Sequence, residues 1–272
     1  MTEHLPLSRV LPTYNAWMKE GARLFKTGEI MNNRYIIKRK IGQGGMSEVY
    51  LAYDTFKNGP AALKCSWCNM PLAKEYHIMK SLHCNGIPEV FELFEYGGIF
   101  IMALEYIEGC TLGEAVENRH MAGKINSCTE LIRIIINVCM TADYLHREKG
   151  MLYLDYKPSN IIAGSKGTFL IDFGAAADLK DTYQGEGIAL YGTERYAAPE
   201  QRSSGRTVNV CTDIYLIGAL IQYIIRKCGV RDRVVKGIVK RCMDRKMSAR
   251  YSSAKEVAAL LSGCINYDGR IY

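Results

Sequence analysis

Three side chains of complementary chemistry lie within six positions of one another: Asp155, Lys157 and Asn160, in the run Tyr153-Leu154-Asp155-Tyr156-Lys157-Pro158-Ser159-Asn160. A second carboxylate follows twelve residues after Asn160, in Asp172-Phe173-Gly174. A carboxylate to orient a hydroxyl, a cation to meet a moving phosphoryl group, and oxygen ligands for Mg²⁺ are the set that phosphoryl transfer needs. Pro158 has no N–H to give and disfavours helix at Lys157 before it, so the set reads as a loop. Ile161, Ile162, Leu170 and Ile171 flank Gly164-Ser165-Lys166-Gly167 and predict two short strands of a hairpin. Asn160 and Asp172 are then expected at the ends of rigid elements.

The elements upstream must position these groups. From Tyr35 the texture becomes strand-like and runs into Ile41-Gly42-Gln43-Gly44-Gly45-Met46-Ser47-Glu48-Val49-Tyr50. Glycine lets backbone approach phosphates closely, although a simple hairpin turn would use the same residues. Ala61-Ala62-Leu63-Lys64 is an apolar strand ending in a cation. Asn69 and Pro71 mark a helix start, and Glu75, Ile78, Met79 and Leu82 recur at helical spacing on one face. A carboxylate on a buried face wants a cation; Lys64 is the candidate, with Lys74 and Lys80 as competitors. Val90–Tyr96 and Ile99–Leu104 read as strands paired around Gly97-Gly98.

Further on, Thr111-x-x-Glu114, Ser127-x-x-Glu130 and Ser253-x-x-Glu256 are capping-box patterns, each predicting a helix start. The second helix carries Leu131, Ile134, Ile135, Val138, Ala142 and Leu145 on one face and is expected to be core. Residues 175–189 are polar and glycine-containing, a predicted loop.

In this order the motifs resemble those of the protein kinase family, over residues 35 to about 262. D-x-K-P-x-N followed by D-F-G resembles the catalytic and metal-binding loops, and residues 41–50 resemble the glycine-rich loop, with Ser47 where the family has a third glycine. Ala61–Lys64 resembles V-A-I-K, and Glu105-Tyr106-Ile107 resembles the hinge. Gly192-Thr193-Glu194-Arg195-Tyr196-Ala197-Ala198-Pro199-Glu200 resembles the end of the activation loop, and Thr212-Asp213 the start of a buried helix. The wording is most like bacterial Ser/Thr kinases of the eukaryotic-like (Hanks) type.

The resemblance implies an α+β fold of two lobes: a small N-lobe antiparallel sheet with one helix, and a larger, mainly helical C-lobe. The implied domains are an N-terminal extension at 1–33, an N-lobe at 34–107, a C-lobe at 108–265 and a tail at 266–272. It implies ATP with Mg²⁺, or Mn²⁺ in its place, as cofactors. Asp155 would be the catalytic base, Lys157 would contact the γ-phosphate, and Thr193 would contact both and favour Ser or Thr acceptors. Lys64 would grip the α- and β-phosphates and pair with Glu75. Asn160 and Asp172 would hold metal. Ile41, Gly42, Gln43, Gly44, Gly45, Met46, Ser47 and Val49 would cover the nucleotide, with Ala62, Leu104, Glu105, Ile107 and Ile162 around adenine. Asp213 would tie its helix to the catalytic loop, and Glu200 would pair with Arg250.

Three departures bear on function. Tyr153-Leu154 stands where the family has H-R, removing the arginine that pairs with a phosphorylated loop residue, so activity is expected not to require loop phosphorylation there. Eleven residues separate Lys64 from Glu75, and 37 separate Asp213 from Arg250, so the first helix or its approach is short and a substrate-docking helix is expected to be reduced or absent. The implied function is a serine/threonine protein kinase that also phosphorylates itself; the competing reading is a non-catalytic nucleotide-binding scaffold.

Composition bounds the rest. The chain has 272 residues, 48% of them hydrophobic, enough for one large core or two lobes. Ten cysteines are too dilute for a disulfide scaffold, and with no apolar signal segment the expected compartment is the cytoplasm. Cys65-x-x-Cys68, with His77, His83 and Cys84, is compatible with a metal site, or with reduced cysteines filling small spaces. The apolar run Ile214–Ile225 is too short for a membrane span and reads as a buried helix. The net charge of +7 is spread without an aromatic-basic stripe, which argues against nucleic acid; ATP and a protein substrate are the expected partners. No attached sensor or anchor is recognised, so a regulatory signal is expected through a partner or the leader, and oligomeric state is not legible.

Overall fold

The computed structural model describes residues 24–45, 47–117, 128–182, 196–202 and 207–265. They divide into two compact units. Those up to Asn69 with Glu92–Tyr106 form the smaller, and Met70–Phe91 with those from Ile107 onward form the larger. The division at 106/107 falls inside the stretch that resembles a hinge. The first helix, however, groups with the larger unit.

The smaller unit is built on a six-stranded sheet: β1 (Ile30–Met31), β2 (Tyr35–Gln43), β3 (Ser47–Asp54), β4 (Gly59–Ser66), β5 (Val90–Tyr96, from Glu92 within this unit) and β6 (Ile99–Glu105). The strand order is β1-β2-β3-β4-β6-β5. Alternation sends Tyr50 and Ala52 of β3 to the buried face, together with Glu48 and Asp54. Buried carboxylates need partners. Arg34 clasps Asp54 through Nε at 2.7 Å and Nη2 at 2.6 Å, and this guanidinium holds the Asp54 carboxyl below the usual carboxylate range. Glu48 accepts from Tyr50 Oη and Lys40 Nζ. The sheet starts ahead of residue 34: Met31 pairs with Tyr35, and Phe25 packs edge-on against Tyr50 at 5.6 Å. The expected extension at 1–33 is therefore in part sheet, while Trp17 and its neighbours lie outside the described residues.

The larger unit contains α1 (Asn69–Lys80), β7 (Gly109–Thr111), α2 (Leu112–Glu117), α3 (Cys128–Glu148) and β8 (Met151–Leu152). Then follow the hairpin β9 (Ile161–Gly164) and β10 (Gly167–Leu170), β11 (Ala177–Asp178), and helices α4 (Val210–Cys228), α5 (Arg233–Cys242) and α6 (Ala254–Gly263). The capping boxes explain the starts: Glu114 N donates to Thr111 Oγ1 at 3.2 Å while the Glu114 carboxylate accepts from Thr111 N at 2.8 Å. At α6, Glu256 N donates to Ser253 Oγ, but the returning carboxylate accepts from Ser252 N instead. Ser127 lies outside the described residues. Asn209 caps α4, and Gly229, at φ 68°, ends it.

The core is the apolar faces of α3 and α4, with α6 against α3 and α5 against α4. The run Ile214–Ile225 lies within α4, and among the described residues no helix is long and apolar enough to cross a membrane. Between the end of α4 at Cys228 and Arg250 stands one α-helix, the ten-residue α5, with four residues between α4 and α5.

A three-stranded sheet has the order β10-β9-β7, and in it Gly109 pairs with Gly164. A Cβ on Gly109 would stand 2.3 Å from Ala163 O, backbone that cannot turn aside. Gly109→Ala is expected to lower stability by about 1–3 kcal/mol through overpacking. An unchanged urea midpoint would show that β7 can be displaced at no cost.

Candidate active site

The segment that carries Asp155, Lys157 and Asn160 runs from β8 to β9, and its shape is imposed by the residues packed against it. Leu154 has φ 65°, a left-handed conformation that costs a leucine free energy. It is held there by Asp213, whose Oδ2 accepts from Tyr153 N at 2.9 Å and whose Oδ1 accepts from Leu154 N at 3.0 Å. His146 Nε2 lies 2.8 Å from the same carboxylate, which is wholly buried. From the other side, Gln201 Nε2 donates to Leu154 O at 3.1 Å, tying in the segment that contains Pro199 and Glu200. Sequence reasoning found Asp213 but not His146 or Gln201; the only trace of His146 was its place four residues after Ala142 on the core face of α3.

This bend presents Asp155. Its Oδ2 accepts from Lys157 Nζ at 2.7 Å and from Asn160 Nδ2 at 2.9 Å, so the three residues singled out by spacing meet at one oxygen atom. Asn160 Nδ2 also donates to Asp155 O at 3.2 Å, and Asn160 N to Lys157 O at 3.0 Å, which winds Pro158–Asn160 into a 3₁₀ turn. With its amide protons so directed, the Asn160 carboxamide oxygen is the atom available to a ligand.

Across the β9–β10 hairpin, Ile171 N donates to Asn160 O at 2.9 Å, and the next residue, Asp172, has φ 67°. Gly174 N donates to Asp172 Oδ1 at 3.3 Å. Phe173 is wholly buried; its N donates to Glu75 Oε1 of α1 at 3.0 Å. Within this unit the buried Glu75 carboxylate thus meets a backbone N–H. Tyr153, where the family pattern has histidine, donates from Oη to Ile171 O and sets its ring edge-on to Phe173 at 5.0 Å and to Tyr156 at 4.8 Å. Burial pushes the Tyr153 phenol well above its ordinary pKa, so it remains a donor.

The position that would carry an arginine is apolar in its surroundings. Leu154 is buried with Leu152, Ala177 and Val208, and Ala175, Leu179 and Val210 pack against them. Glu200 is bound by Arg250 at 2.6 and 3.0 Å, as expected.

In the smaller unit, cross-strand register places further expected residues on one sheet face. Lys64 lies opposite Val49 and Met102, and Ala62 opposite Leu51 and Leu104. Partners across a strand pair, and residues two apart along a strand, point the same way. Val49, Ala62, Lys64 and Leu104 therefore share a face. Gly42 pairs with Val49, and Gly44 N closes the turn on Ser47 O at 2.7 Å. A Cβ on Gly45 would meet nothing within 4 Å, so packing alone does not demand glycine there. Ile41 and Gln43 lie on β2 and Glu105 ends β6, whereas Ile107 and Ile162 belong to the larger unit. Met46 and Thr193 lie outside the described residues.

The donor set of Asn160 and Asp172, a carboxamide oxygen and a carboxylate, suits a hard cation such as Mg²⁺, which takes one or two protein ligands and shares the rest with phosphates and water. Among the described residues, no three His, Cys, Asp or Glu side chains come together to hold a metal by themselves.

Comparison with known proteins is consistent in kind. The protein kinase domain family matches residues 35–270. The probable serine/threonine-protein kinase PknB of Lactococcus lactis is 29% identical over 209 residues, covering 73% of this chain and 32% of that protein. Serine/threonine-protein kinase D of Synechocystis is 27% identical over 277 residues, covering 86% of this chain and 53% of that protein. The chain thus spans a third to about half the length of these two relatives. The crystal structure of the Mycobacterium tuberculosis PknI kinase domain superimposes with TM-score 0.65 at 22% identity, over 88% of this chain and 99% of that one; this likeness concerns the fold.

Proposed function

The chain belongs to the protein kinase family, and on that premise we propose that it is a serine/threonine kinase transferring the γ-phosphoryl group of Mg-ATP to protein hydroxyls, its own included. The observation that carries the reading is the junction at Asp155, where one carboxylate oxygen holds Lys157 and Asn160, and the other, which accepts from no side chain among the described residues, is left for a substrate hydroxyl.

Asp155 orients the acceptor hydroxyl and takes its proton as the new O–P bond forms and the bond to the ADP oxygen breaks. Lys157, fixed beside it, neutralises charge on the moving phosphoryl group. Asn160 and Asp172 would hold Mg²⁺, whose charge would offset that of the phosphates. Lys64 is assigned to the α- and β-phosphates, and the backbone of Gly42–Ser47 to covering them, in keeping with the open space at Gly45. Val49, Ala62, Leu104 and Ile162 are assigned to adenine, with the backbone of Glu105 and Ile107. Thr193 is assigned to contact Asp155 and Lys157.

Transfer of labelled phosphate from ATP with Mg²⁺ to a generic acceptor protein tests this. Nucleotide binding without transfer would leave the scaffold reading in its place. The apolar surroundings of Leu154 add a second expectation: protein freed of phosphate by a phosphatase keeps its rate, since among the described residues the cluster around Leu154 is aliphatic and offers a phosphorylated residue no cation. Activity that vanishes on dephosphorylation and returns on rephosphorylation would refute it.

A further inference from the structure

Outside the phosphotransfer site, charge concentrates where α4 passes into α5. Residues 226–246 hold nine Lys or Arg against two Asp or Glu, a net +7 that equals the formal charge of the whole chain. The other 251 residues balance at 26 of each sign. These cations border a groove of about 550 Å³, with Ile225 and Val239 in its floor and Arg226, Arg231, Lys236 and Lys240 around it. All four are exposed, and among the described residues their side chains form no ion pair. The two acids are committed elsewhere: Asp232 caps α5 by accepting from Val235 N at 2.7 Å, and Asp244 accepts from Lys246 N at 2.8 Å.

Helix electrostatics explains only part of this crowding. Arg226 and Lys227, and Lys240 and Arg241, lie in the last turns of α4 and α5, where cations offset the negative helix end. Arg231, Arg233 and Lys236 lie toward the positive end of α5, whose first turn has no acidic residue. There the dipole opposes them, and like charges that outnumber their counterions cost stability. A second pocket of about 360 Å³ shares Gln222 and Arg226 with the first and extends to Tyr196 and Ala197, just short of Glu200. The groove therefore continues toward the segment tied to the catalytic loop through Gln201.

Resting on the kinase reading above, we propose that this groove docks an acidic segment of the protein substrate, with Asp or Glu interspersed among aliphatic residues. Carboxylates answer the four cations, and aliphatic side chains answer Ile225 and Val239. Nucleic acid fits less well, because the lining of the larger groove has no aromatic side chain on which bases would stack. A bilayer fits less well too: Val235, Ile238 and Val239 of α5 are buried in the protein, leaving Val234, 59% exposed, as the one outward aliphatic side chain of the helix.

The test uses the full chain and two serine peptides, one flanked by Asp, Glu and Leu, the other by Ser and Ala. In the triple variant Arg231→Ala/Lys236→Ala/Lys240→Ala, kcat/KM for the acidic peptide is expected to fall roughly tenfold through KM, with kcat and the neutral peptide unaffected. Fluorescence anisotropy with the acidic peptide, its serine replaced by alanine, reads docking without catalysis and is expected to weaken in the variant and with salt. Variant-sensitive binding without transfer to any peptide would sink the kinase reading and leave docking standing. Transfer with no preference for the acidic peptide, or equal loss for both peptides, would overturn docking and leave the kinase. Variant-sensitive binding of phosphatidylserine vesicles or oligothymidylate, with no binding of the peptide, would overturn it as well.

Discussion

Phosphate transfer by the Asp155→Asn protein is expected to fall by on the order of 10²–10⁴-fold, the range for removing a general base. The substitution is nearly isosteric, and a carboxamide oxygen can still accept from Lys157 and Asn160, which now meet Asp155 Oδ2 at 2.7 and 2.9 Å. The local fold should therefore persist. What is lost is the negative charge that draws the hydroxyl proton and offsets the Lys157 ammonium. Titration with a fluorescent nucleotide should give unchanged affinity beside the lost turnover. Label transfer undiminished in Asp155→Asn would place the base elsewhere.

Arg250→Ala is expected to destabilise the fold by about 3–5 kcal/mol, the cost of breaking a buried ion pair from one side. The Arg250 side chain is fully buried and Glu200 nearly so. Beyond Glu200, the guanidinium donates to Asp244 O at 2.8 Å and Cys211 O at 2.9 Å and stacks on Tyr215 at 4.9 Å. Truncation strands a carboxylate and two carbonyls in a buried region, each left without its donor. Glu200→Leu with Arg250→Met, which removes both charges at similar volume, should recover part of the loss. Urea unfolding followed by circular dichroism gives both numbers. A loss below about 1 kcal/mol, the range of exposed pairs, would mean that the pair is effectively solvated.

What could be read in the sequence was whatever lies close along the chain or follows a period. Asp155, Lys157 and Asn160 meet because their spacing allows nothing much longer than a turn, and the β9–β10 hairpin was written in its glycines. Asp213 was found through its place in a family pattern, but its partner His146 is 67 residues away, a lone polar group on an apolar face with no local sign. The left-handed Leu154 was invisible, since leucine does not announce a positive φ. β1 has two residues, too few for alternation to show, and so the sheet begins earlier than expected. The basic residues read as scattered because apolar positions interleave them; only when α5 buries Val235, Ile238 and Val239 do the cations gather on the outside.

The cluster of Leu152, Leu154, Ala177 and Val208 has a consequence of its own. A phosphate–arginine latch is a binary device: an enzyme adds the group, another removes it, and ions in solution weaken the grip. Aliphatic contact cannot be toggled that way, is indifferent to moderate ionic strength, and slackens on chilling. The backbone from Ala175 to Leu179 is thus clamped by a constitutive fastening whose natural variable is temperature.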